Sequence, residues 1–468
     1  MTESIESFRA YAQPKRVAVL GVGISNRPLL VWLGRLGVQV EAFDRLPADD
    51  PYLLRSKAWL EERGVTPVWH VGEHYLDALH GFDLIFRTPR MQPDEPALVR
   101  ARLEGAVVTS EMELFLTLCP APVIGVTGSD GKTTTTTLIA RMLEAEGWHT
   151  HVGGNIGTPL LDRVAVMTPD DRVVVELSSF QLVTMRQRIE TAVITNLTPN
   201  HLDVHPTFDA YVEAKKNIYR HQTLFDRLIL NAGDPVSLDL VSDASGAVDL
   251  VNGPQGWPGR RIWQEDGRIF MSDRRSVSEL MAIRDILLPG DFNVQNVMTA
   301  ALAVSPDVGS NAIRQTASRF AGVAHRMELV REQNAVSWYN SSIDSTPHRS
   351  IVTLDVFQKA GRPLILIAGG ADKKSDYTGL GDAILSATRR IILCGANAGD
   401  IRKVLELEAN GRPYAISEVL SYDDAVRTAA EMAEPGDSVL LSPAGTSFDR
   451  FRHFEERGDH FRSLVAAL

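Results

Sequence analysis

Short, continuous apolar runs that end in glycine or polar residues recur along the chain, and they predict the buried strands of parallel sheets. Near the start such runs cover residues 16–20, 38–43 and 82–87, and a helical pattern follows the first of them. The carboxyl ends of parallel strands meet at one edge of a sheet, so Asp44 is expected at a ligand-binding edge. Residues 1–110 are therefore predicted to form an α/β domain.

The same alternation of strand and helix patterns returns twice, which predicts two further α/β domains over residues 111–322 and 323–468. A polar Glu265-Asp-Gly267 turn inside an alternating stretch predicts a β-hairpin in the middle domain. The other predicted strands are 123–126, 172–177, 191–196 and 227–232 in the middle domain and 363–368, 390–394 and 438–442 in the last.

The chemical motif with the strongest support from its flanking patterns follows the apolar run 123–126. It is a loop containing Gly128 and Gly131, then Lys132 and Thr133, then a helical pattern. In such a loop the amides and the helix N-terminus attract phosphate, the lysine reaches the β- and γ-phosphates, and the hydroxyl binds Mg²⁺. The spacing departs from the strict Walker A pattern, and a plain glycine turn with a surface lysine is the alternative. Both flanks favour a site for ATP or GTP.

These patterns predict an α/β fold with an N-terminal Rossmann-like domain, a central P-loop ATPase-type parallel sheet and a C-terminal Rossmann-like domain. In the first domain, Gly21 and Gly23 fit part of a dinucleotide-binding fingerprint, whereas Asn26 takes the place of its third glycine. Asp44 stands about where an acid that binds a ribose or base belongs. A nucleotide-type ligand and a tight turn without a ligand both remain open.

Composition narrows the range of partners. The chain has 468 residues, a formal net charge of −11 and two cysteines, Cys119 and Cys394. The negative charge and the lack of a Lys/Arg block argue against a nucleic-acid partner. No apolar stretch reaches the ~18 residues of a transmembrane helix, so no membrane insertion is expected. Both cysteines stand in apolar surroundings and are expected to be reduced, and we expect a cytoplasmic monomer.

Two polar segments follow predicted strands of the middle domain and should face the phosphate loop. Glu176 ends one strand, where a carboxylate offers the Mg²⁺ of a nucleotide a hard oxygen ligand. His201 and Asp203 follow the next strand. A capping or salt-bridged glutamate and a purely structural histidine are the alternatives.

A helical pattern over residues 208–219 places Lys215 on its apolar stripe and directs Lys216 away from it. A buried ammonium is costly, so its pKa falls or it finds a partner. A neutral buried lysine can also add CO₂ and become a carbamate, which is an oxygen ligand for a second metal ion. Snorkelling, a salt bridge and this special role all remain open on the pattern alone.

Several longer segments carry a resemblance to a known family. They are Thr127-Gly-Ser-Asp-Gly-Lys-Thr-Thr134, Gly154-Asn-Ile-Gly157, Glu176-Leu-Ser-Ser-Phe-Gln-Leu182, Asn196-Leu-Thr-Pro-Asn-His-Leu-Asp203, Ala214-Lys215, Asn293-Val-Gln-Asn296, Gly369-Gly370 with Lys373, and Leu441-Ser-Pro-Ala-Gly-Thr-Ser-Phe-Asp-Arg-Phe-Arg-His-Phe-Glu-Glu-Arg-Gly458. Together they resemble the Mur ligase family of peptidoglycan precursor synthesis over essentially the whole chain. The last two are similar to its glutamate-adding branch.

The resemblance implies an ATP-dependent ligase that joins D-glutamate to UDP-N-acetylmuramoyl-L-alanine through an acyl phosphate, with ATP and two Mg²⁺ ions. The implied catalytic residues are Lys132, His201 and Lys215. The implied ATP-binding residues are Gly128, Ser129, Asp130, Gly131, Lys132, Thr133, Thr134, Asn293, Asn296 and Arg326. The implied UDP-substrate residues are Ile24, Ser25, Asn26, Asp44, Asn155, Ser178 and Gln181. The implied D-glutamate residues are Ser345, Lys373, Ser447, Phe448 and Phe454. The implied Mg²⁺ ligands are Thr133 and Glu176 for one ion and His201 and carbamylated Lys215 for the other.

Three segments depart from the family pattern. Asn340-Ser-Ser342 stands where the family often has an acid followed by serine. Ile343-Asp-Ser-Thr346 replaces a Lys-Ala-Thr-Asn run, so Ser345 must stand in for a threonine near the amino-acid site. Arg90 takes a position often held by glycine and is a candidate for the substrate's pyrophosphate.

Two rival functions share part of these motifs. A folate-type polyglutamate ligase has the middle domain but does not need the Gly21-Val-Gly23 domain. A nucleotide-gated binding protein could keep the phosphate loop without ligation, but the presence of Glu176, His201 and Lys215 together argues against it. The residues themselves do not separate D- from L-glutamate.

Overall fold

The computed structural model describes residues 3–23, 26–199, 205–273, 275–371 and 375–468. Their strands form three sheets in which parallel pairings dominate, with helices between many successive strands. The predicted α/β class is therefore confirmed. The chain forms two compact units, Met1–Ile283 with Gln295–Thr316 and Arg284–Val294 with Ala317–Leu468. The first two sheets belong to the first unit and the third sheet to the second.

The first sheet is wholly parallel. It consists of β1 Val17–Leu20, β2 Val40–Asp44, β3 Val68–Val71, β4 Leu84–Phe86 and β5 Val107–Thr109, in the order β3-β2-β1-β4-β5. Its inner strands are buried on both faces, which is why they stood out as continuous apolar runs. The edge strands β3 and β5 are partly exposed, and the sequence pattern did not predict them. The helices of this region are α1 Glu3–Ala12, α2 Asn26–Arg35, α3 Pro51–Glu61, α4 Pro96–Leu103 and α5 Glu111–Leu118.

The second sheet places the phosphate loop near its middle. Its strands are β6 Val123–Thr127, β7 Thr150–Gly154, β8 Arg172–Glu176, β9 Thr191–Ile194, β10 Arg227–Asn231, β11 Ala247–Val251, β12 Arg261–Glu265, β13 Arg268–Ser272 and β14 Val277–Ala282. Their order is β14-β13-β12-β11-β10-β9-β6-β8-β7, with antiparallel pairing only among β12, β13 and β14. Because β6 lies between β8 and β9, the segments after those two strands flank the loop after β6.

The predicted hairpin is confirmed as β12 and β13. Its two-residue turn has Asp266 at φ +48° and Gly267 at φ +73°, the left-handed conformations that suit a tight hairpin. The helices of this region are α6 Lys132–Glu146, α7 Ser179–Leu182, α8 Phe208–Lys216, α9 Pro235–Asp239, α10 Asp291–Val304 and α11 Ser310–Arg319.

The third sheet has one antiparallel edge. Its strands are β15 Glu328–Gln333, β16 Val336–Asn340, β17 Leu364–Ala368, β18 Arg390–Leu393, β19 Ala415–Glu418 and β20 Ser438–Leu441, in the order β15-β16-β20-β17-β18-β19. Apolar clusters cover both of its faces. The helices are α12 Pro347–Ala360, α13 Leu380–Ala387, α14 Ala398–Glu408, α15 Tyr422–Met432 and α16 Phe454–Ala467. Among the helices described, none combines the length and the apolar run that a bilayer-spanning segment requires.

Candidate active site

The phosphate loop between β6 and α6 needs its glycines for both conformation and space. Gly128 has φ +148° and Gly131 has φ +75°, a region that other residues rarely adopt. A Cβ at Gly128 would collide with the Thr195 hydroxyl, and a Cβ at Gly131 would collide with the amide oxygen of Asn296. Asn296, predicted from sequence to contact the nucleotide, therefore lies directly against this loop.

The segment that follows β9 holds the loop in place. The Ser129 hydroxyl donates to the Thr198 carbonyl at 2.8 Å and accepts from the Thr198 amide at 2.9 Å. The Asp130 amide donates to the Asn196 side chain at 3.0 Å, and the Thr195 hydroxyl donates to the Asp130 carbonyl at 2.6 Å. Thr134 is buried in the first turn of α6. The loop conformation is thus fixed by side-chain bonds that the sequence motif alone did not reveal.

Two lysines converge on one carbonyl of this loop. The Lys132 Nζ donates to the carbonyls of Gly128 at 3.0 Å and Ser129 at 2.8 Å. The Lys215 Nζ donates to the same Gly128 carbonyl at 2.8 Å. Both bonds fix the Gly128 carbonyl, and the Lys132 ammonium supplies positive charge of the kind that a nucleotide-phosphate site requires.

Lys215 is buried on α8, as the helical stripe predicted. It is 1 % exposed, its Nζ donates to the Thr127 hydroxyl at 3.0 Å, and it lies 4.7 Å from the centre of the Tyr211 ring. Burial, together with the nearby Lys132 charge, holds the pKa of Lys215 well below its usual range. Within the described ranges Lys215 forms no ion pair, so the salt-bridge alternative receives no support there.

Lys216 lies on the other side of α8, as predicted, but its environment differs from a plainly solvated face. Its ammonium contacts the carboxylates of Glu213 at 2.8 Å and Asp243 at 2.7 Å. These hydrogen bonds raise the pKa of Lys216. The two adjacent lysines therefore have opposite electrostatic surroundings.

Glu176 joins the loop to the segment after β7. It is buried, and its two carboxylate oxygens accept from the Thr133 hydroxyl at 2.7 Å and from the Asn155 side-chain amide at 2.8 Å. The Asn155 backbone amide donates to the Glu176 carbonyl at 2.8 Å. The predicted proximity of Thr133 and Glu176 is confirmed, and a carboxylate beside a hydroxyl is the oxygen donor set that suits Mg²⁺.

Ser178 and Gln181 are engaged with each other at the start of α7. The Ser178 hydroxyl accepts from the Gln181 amide at 3.3 Å, and the Gln181 side chain accepts from the Ser178 amide at 3.0 Å, which makes a capping box. Their predicted contact with the UDP-substrate stays a prediction, because the bonds present here are those of a helix terminus.

Asp44 and Asn26 brace the turn after β1. The Asp44 carboxylate accepts from the amides of Val22 at 2.8 Å and Leu46 at 3.1 Å. The Asn26 side chain donates to the carbonyls of Leu20 and Gly21. Its buried amide oxygen has no donor among the residues that the structure describes, and a ligand could supply one. Both residues thus support a tight turn, and their contact with UDP remains a prediction.

The predicted residues of the second unit can be described within that unit. Asn293 is buried and donates to the Pro289 carbonyl at 2.7 Å at the start of α10. Ser447 is buried, whereas Phe448 is 65 % exposed. The Phe454 carbonyl accepts from the Ser342 hydroxyl at 2.7 Å. Ser345 is half-buried.

Asp344 is a buried acid to which the sequence pattern assigned no role. Its carboxylate accepts from the Ser442 hydroxyl at 2.8 Å, and it lies in the electrostatic field of Arg326. Burial raises the pKa of Asp344. The Ser341 side chain is hydrogen-bonded to the Asp344 carboxylate. An acid therefore lies beside Ser341, the position at which this chain departs from the family pattern. In the sequence Asp344 follows Ser341 by three residues, and this short spacing was the available signal for the contact.

Four predicted site residues, Ile24, Ser25, His201 and Lys373, lie outside the described residues, as does Asp203. Their roles stay predictions from the sequence.

Known proteins resemble this chain over its full length. Residues 126–304 match the Mur ligase middle domain, and residues 325–445 match the Mur ligase glutamate ligase domain. The UDP-N-acetylmuramoylalanine–D-glutamate ligases of Acetivibrio thermocellus and Ruminiclostridium cellulolyticum are 44% and 43% identical, covering 100% of both chains in each case. The crystal structure of UDP-N-acetylmuramate–alanine ligase from Thermotoga maritima shares the fold, with a TM-score of 0.58, 16% identity, and coverage of 97% of this chain and 99% of that one. The chain belongs to the Mur ligase family.

Proposed function

We propose that this protein is an ATP-dependent ligase that joins D-glutamate to the alanyl carboxylate of UDP-N-acetylmuramoyl-L-alanine during peptidoglycan precursor biosynthesis. The observation that carries the proposal is the 44% identity, over the whole of both chains, to a ligase named for that reaction. The phosphate loop, with Glu176 hydrogen-bonded to Thr133, supports the ATP-dependent half of it.

The reaction begins with phosphoryl transfer. An oxygen of the alanyl carboxylate attacks the γ-phosphorus of ATP, the bond to the bridging oxygen breaks, and ADP leaves. The loop amides and the Lys132 ammonium stabilise the charge that develops on the phosphate oxygens. For this, Lys132 exchanges its two loop carbonyls for phosphate oxygens. The product is an acyl phosphate.

The second half is attack by the amine of D-glutamate on the acyl carbon. A tetrahedral intermediate forms, the carbon–oxygen bond to phosphate breaks, and the amine proton is lost as the amide forms. The residues proposed to orient D-glutamate are Ser345, Lys373, Ser447, Phe448 and Phe454. Asn293, Asn296 and Arg326 are proposed on the nucleotide side. Acyl phosphates hydrolyse readily, so these groups must also exclude water.

Two Mg²⁺ ions are proposed as cofactors. Thr133 and Glu176 would hold one, and His201 with a carbamylated Lys215 would hold the other. Bound Mg²⁺ supplies positive charge to the phosphate oxygens during transfer. The fit rests on the buried Glu176 carboxylate beside the Thr133 hydroxyl, a hard-oxygen pair at the mouth of a phosphate loop.

The surroundings of Lys215 support the carbamate. Its lowered pKa favours the neutral amine, which has two N–H donors and one lone pair. The Thr127 hydroxyl and the Gly128 carbonyl accept two hydrogen bonds, so the lone pair is left to attack CO₂. A nitrogen–carbon bond then forms, the nitrogen loses one proton, and the neutral amine becomes a carbamate with a terminal carboxylate.

Compartment, assembly and domain limits follow from the same proposal. ATP and a UDP-linked sugar as substrates, with free Cys119 and Cys394, favour a cytoplasmic enzyme. We propose a monomer whose UDP-binding, ATP-binding and amino-acid-binding domains cover residues 1–110, 111–322 and 323–468.

An ADP-release assay with one substrate omitted at a time tests the reaction. We expect ADP only when UDP-N-acetylmuramoyl-L-alanine, D-glutamate and Mg²⁺ are all present, and little with L-glutamate. Equal ADP release without the UDP-substrate would reject the ligase. Turnover with L-glutamate alone would reject the stereochemistry and keep the ligase.

A further inference from the structure

Arg87, at the end of β4, is a fully buried guanidinium that the reaction described above does not use. It is 1 % exposed, whereas arginine is among the residues least often buried. Its Nη1 donates to three carbonyls of the loop that follows it, those of Thr88 at 3.4 Å, Pro89 at 3.1 Å and Met91 at 2.9 Å. One half of the guanidinium therefore holds residues 88–91 in a curve around itself.

The other half of the guanidinium reaches the second sheet region. Its Nη2 donates to the Phe180 carbonyl at 3.2 Å and to the Thr184 hydroxyl at 2.7 Å. Phe180 lies in the short helix α7, and Thr184 lies one turn later on the same face. The carbonyls at a helix C-terminus lack intrahelical partners, so a cation that satisfies one of them also stabilises the helix end.

Burying this charge is costly unless its donors are satisfied in a fixed geometry. Burial lowers the pKa of Arg87, and the negative charge of nearby buried Glu113 opposes that effect. The planar guanidinium directs its two terminal nitrogens along fixed lines, which a lysine ammonium cannot do. The rigid guanidinium thus bonds to two different parts of the chain, the loop 88–91 through Nη1 and the α7 region through Nη2.

The two elements that Arg87 joins lie at the two proposed substrate sites. The loop 88–91 borders the turn after β1, where a side chain at Gly21 would begin 3.2 Å from Thr88. Helix α7 begins shortly after Glu176, and the Leu177 between them is fixed to the phosphate-loop strand. Its amide donates to the Val126 carbonyl at 2.8 Å, and its carbonyl accepts from the Thr127 hydroxyl at 2.7 Å.

We propose that Arg87 is a positioning residue, which locks the UDP-substrate edge of the first sheet to α7 so that the alanyl carboxylate meets the γ-phosphate in line. This inference rests on the proposed ligase reaction. Reacting atoms must lie within about 3–3.5 Å, and a misplacement of about 1 Å costs about a hundredfold in rate. Arg87 touches no reacting atom, and it acts through Thr184 and the loop.

The test is a set of substitutions that distinguish the hydrogen bonds of Nη2 from those of Nη1. Thr184→Val keeps the shape of the side chain and removes the Nη2 acceptor, whereas Thr184→Ser keeps the hydroxyl. We expect Thr184→Val to lower kcat about tenfold with KM for ATP and for the UDP-substrate within about twofold, and Thr184→Ser to restore kcat. Arg87→Met should lower kcat about a hundredfold and raise KM for the UDP-substrate, because the bonds from Nη1 to the loop 88–91 are lost as well.

Arg102→Met is the matched control. Arg102 is exposed and donates to the Pro93 carbonyl at 2.6 Å within the first sheet region, and among the described residues it forms no hydrogen bond to the second sheet region. Its kinetics should equal those of the wild type. In a double-variant cycle, Thr184→Val should add little to Arg87→Met, because both remove the same bond.

Amide hydrogen exchange in residues 179–184 gives a readout that needs no turnover. Thr184→Val and Arg87→Met should speed that exchange, while Arg102→Met and Thr184→Ser should not. An inactive wild-type chain would count against the ligase reaction. Amide hydrogen exchange would still show whether the Arg87–Thr184 bond holds residues 179–184 in place. Wild-type kcat and wild-type exchange in Thr184→Val, or additive losses in the double variant, would overturn the positioning role.

Discussion

Gly131→Ala perturbs the phosphate loop in two separable ways. Gly131 precedes α6 with φ +75° and ψ −6°, a left-handed conformation that costs an alanine about 1–2 kcal/mol. The new Cβ would also collide with the Asn296 amide oxygen, which accepts from the Thr135 hydroxyl at 3.3 Å. Moving Asn296 away would cost about 1 kcal/mol for that hydrogen bond. The sum is about 2–3 kcal/mol of unfolding free energy.

Gly147→Ala, at the other end of the same helix, is the control for the backbone cost alone. Gly147 has φ +108° and ψ 8°, and an added Cβ would have open space around it. We expect a loss of about 1–2 kcal/mol in urea unfolding and an unchanged KM for ATP. Gly131→Ala should lose more stability and raise KM for ATP at least about tenfold, because the loop that receives the phosphates has moved.

The double variant Gly131→Ala with Asn296→Ala separates the collision from the backbone strain. Compared with Asn296→Ala alone, the double variant should lose only the backbone cost of Gly131→Ala, because the amide oxygen that the new Cβ would strike is gone. Equal stability losses and equal ATP KM values for Gly131→Ala and Gly147→Ala would refute the reasoning, because they would mean that Asn296 does not constrain the loop.

Three further predictions concern buried charge. Burial raises the pKa of Glu111 to about 7 from an ordinary 4.5, so its ionisation in the folded protein costs about 3 kcal/mol as pH rises through that window. In urea unfolding, Glu111→Gln should therefore have a higher free energy of unfolding than wild type, by a small amount at pH 5 and by about 3 kcal/mol at pH 8. Lys215→Met should abolish ligation without loss of thermal stability. Lys216→Met should retain most activity and lose about 1 kcal/mol from the ion pairs of Lys216 with the exposed Glu213 and Asp243, as paired kinetic and melting measurements would show. Asp44→Ala should raise KM for the UDP-substrate more than KM for ATP, because it leaves the Val22 amide unpaired in the turn after β1, and a steady-state assay with each substrate varied checks this.

Buried strands and the phosphate loop were predictable because their sequence signals are local. The run Val123 to Val126 is continuous since β6 is buried on both faces, and the loop glycines follow it directly. Lys215 was predictable because a 3.6-residue period places it among apolar neighbours. Edge strands such as β3 and β14 have exposed positions and gave no such signal.

The remaining features depend on partners far apart in sequence. Arg87 and Thr184 are 97 residues apart, so a charged residue at a strand end was the only local clue to their bond. Asp44 looked like a ligand-binding acid, yet its oxygens accept backbone amides of the turn, and Ser178 likewise satisfies a helix terminus. Sequence shows that such polar groups need partners, but it does not show whether the protein or a ligand supplies them.

Transfer of oxygen from the substrate to phosphate tests the central claim most directly. UDP-N-acetylmuramoyl-L-alanine with ¹⁸O in both alanyl carboxylate oxygens is incubated with ATP, Mg²⁺ and D-glutamate, and phosphate and product are analysed by mass spectrometry. Ligation through an acyl phosphate predicts one ¹⁸O in each inorganic phosphate released and one ¹⁸O retained in the new amide. Unlabelled phosphate formed together with the D-glutamyl product would contradict the account.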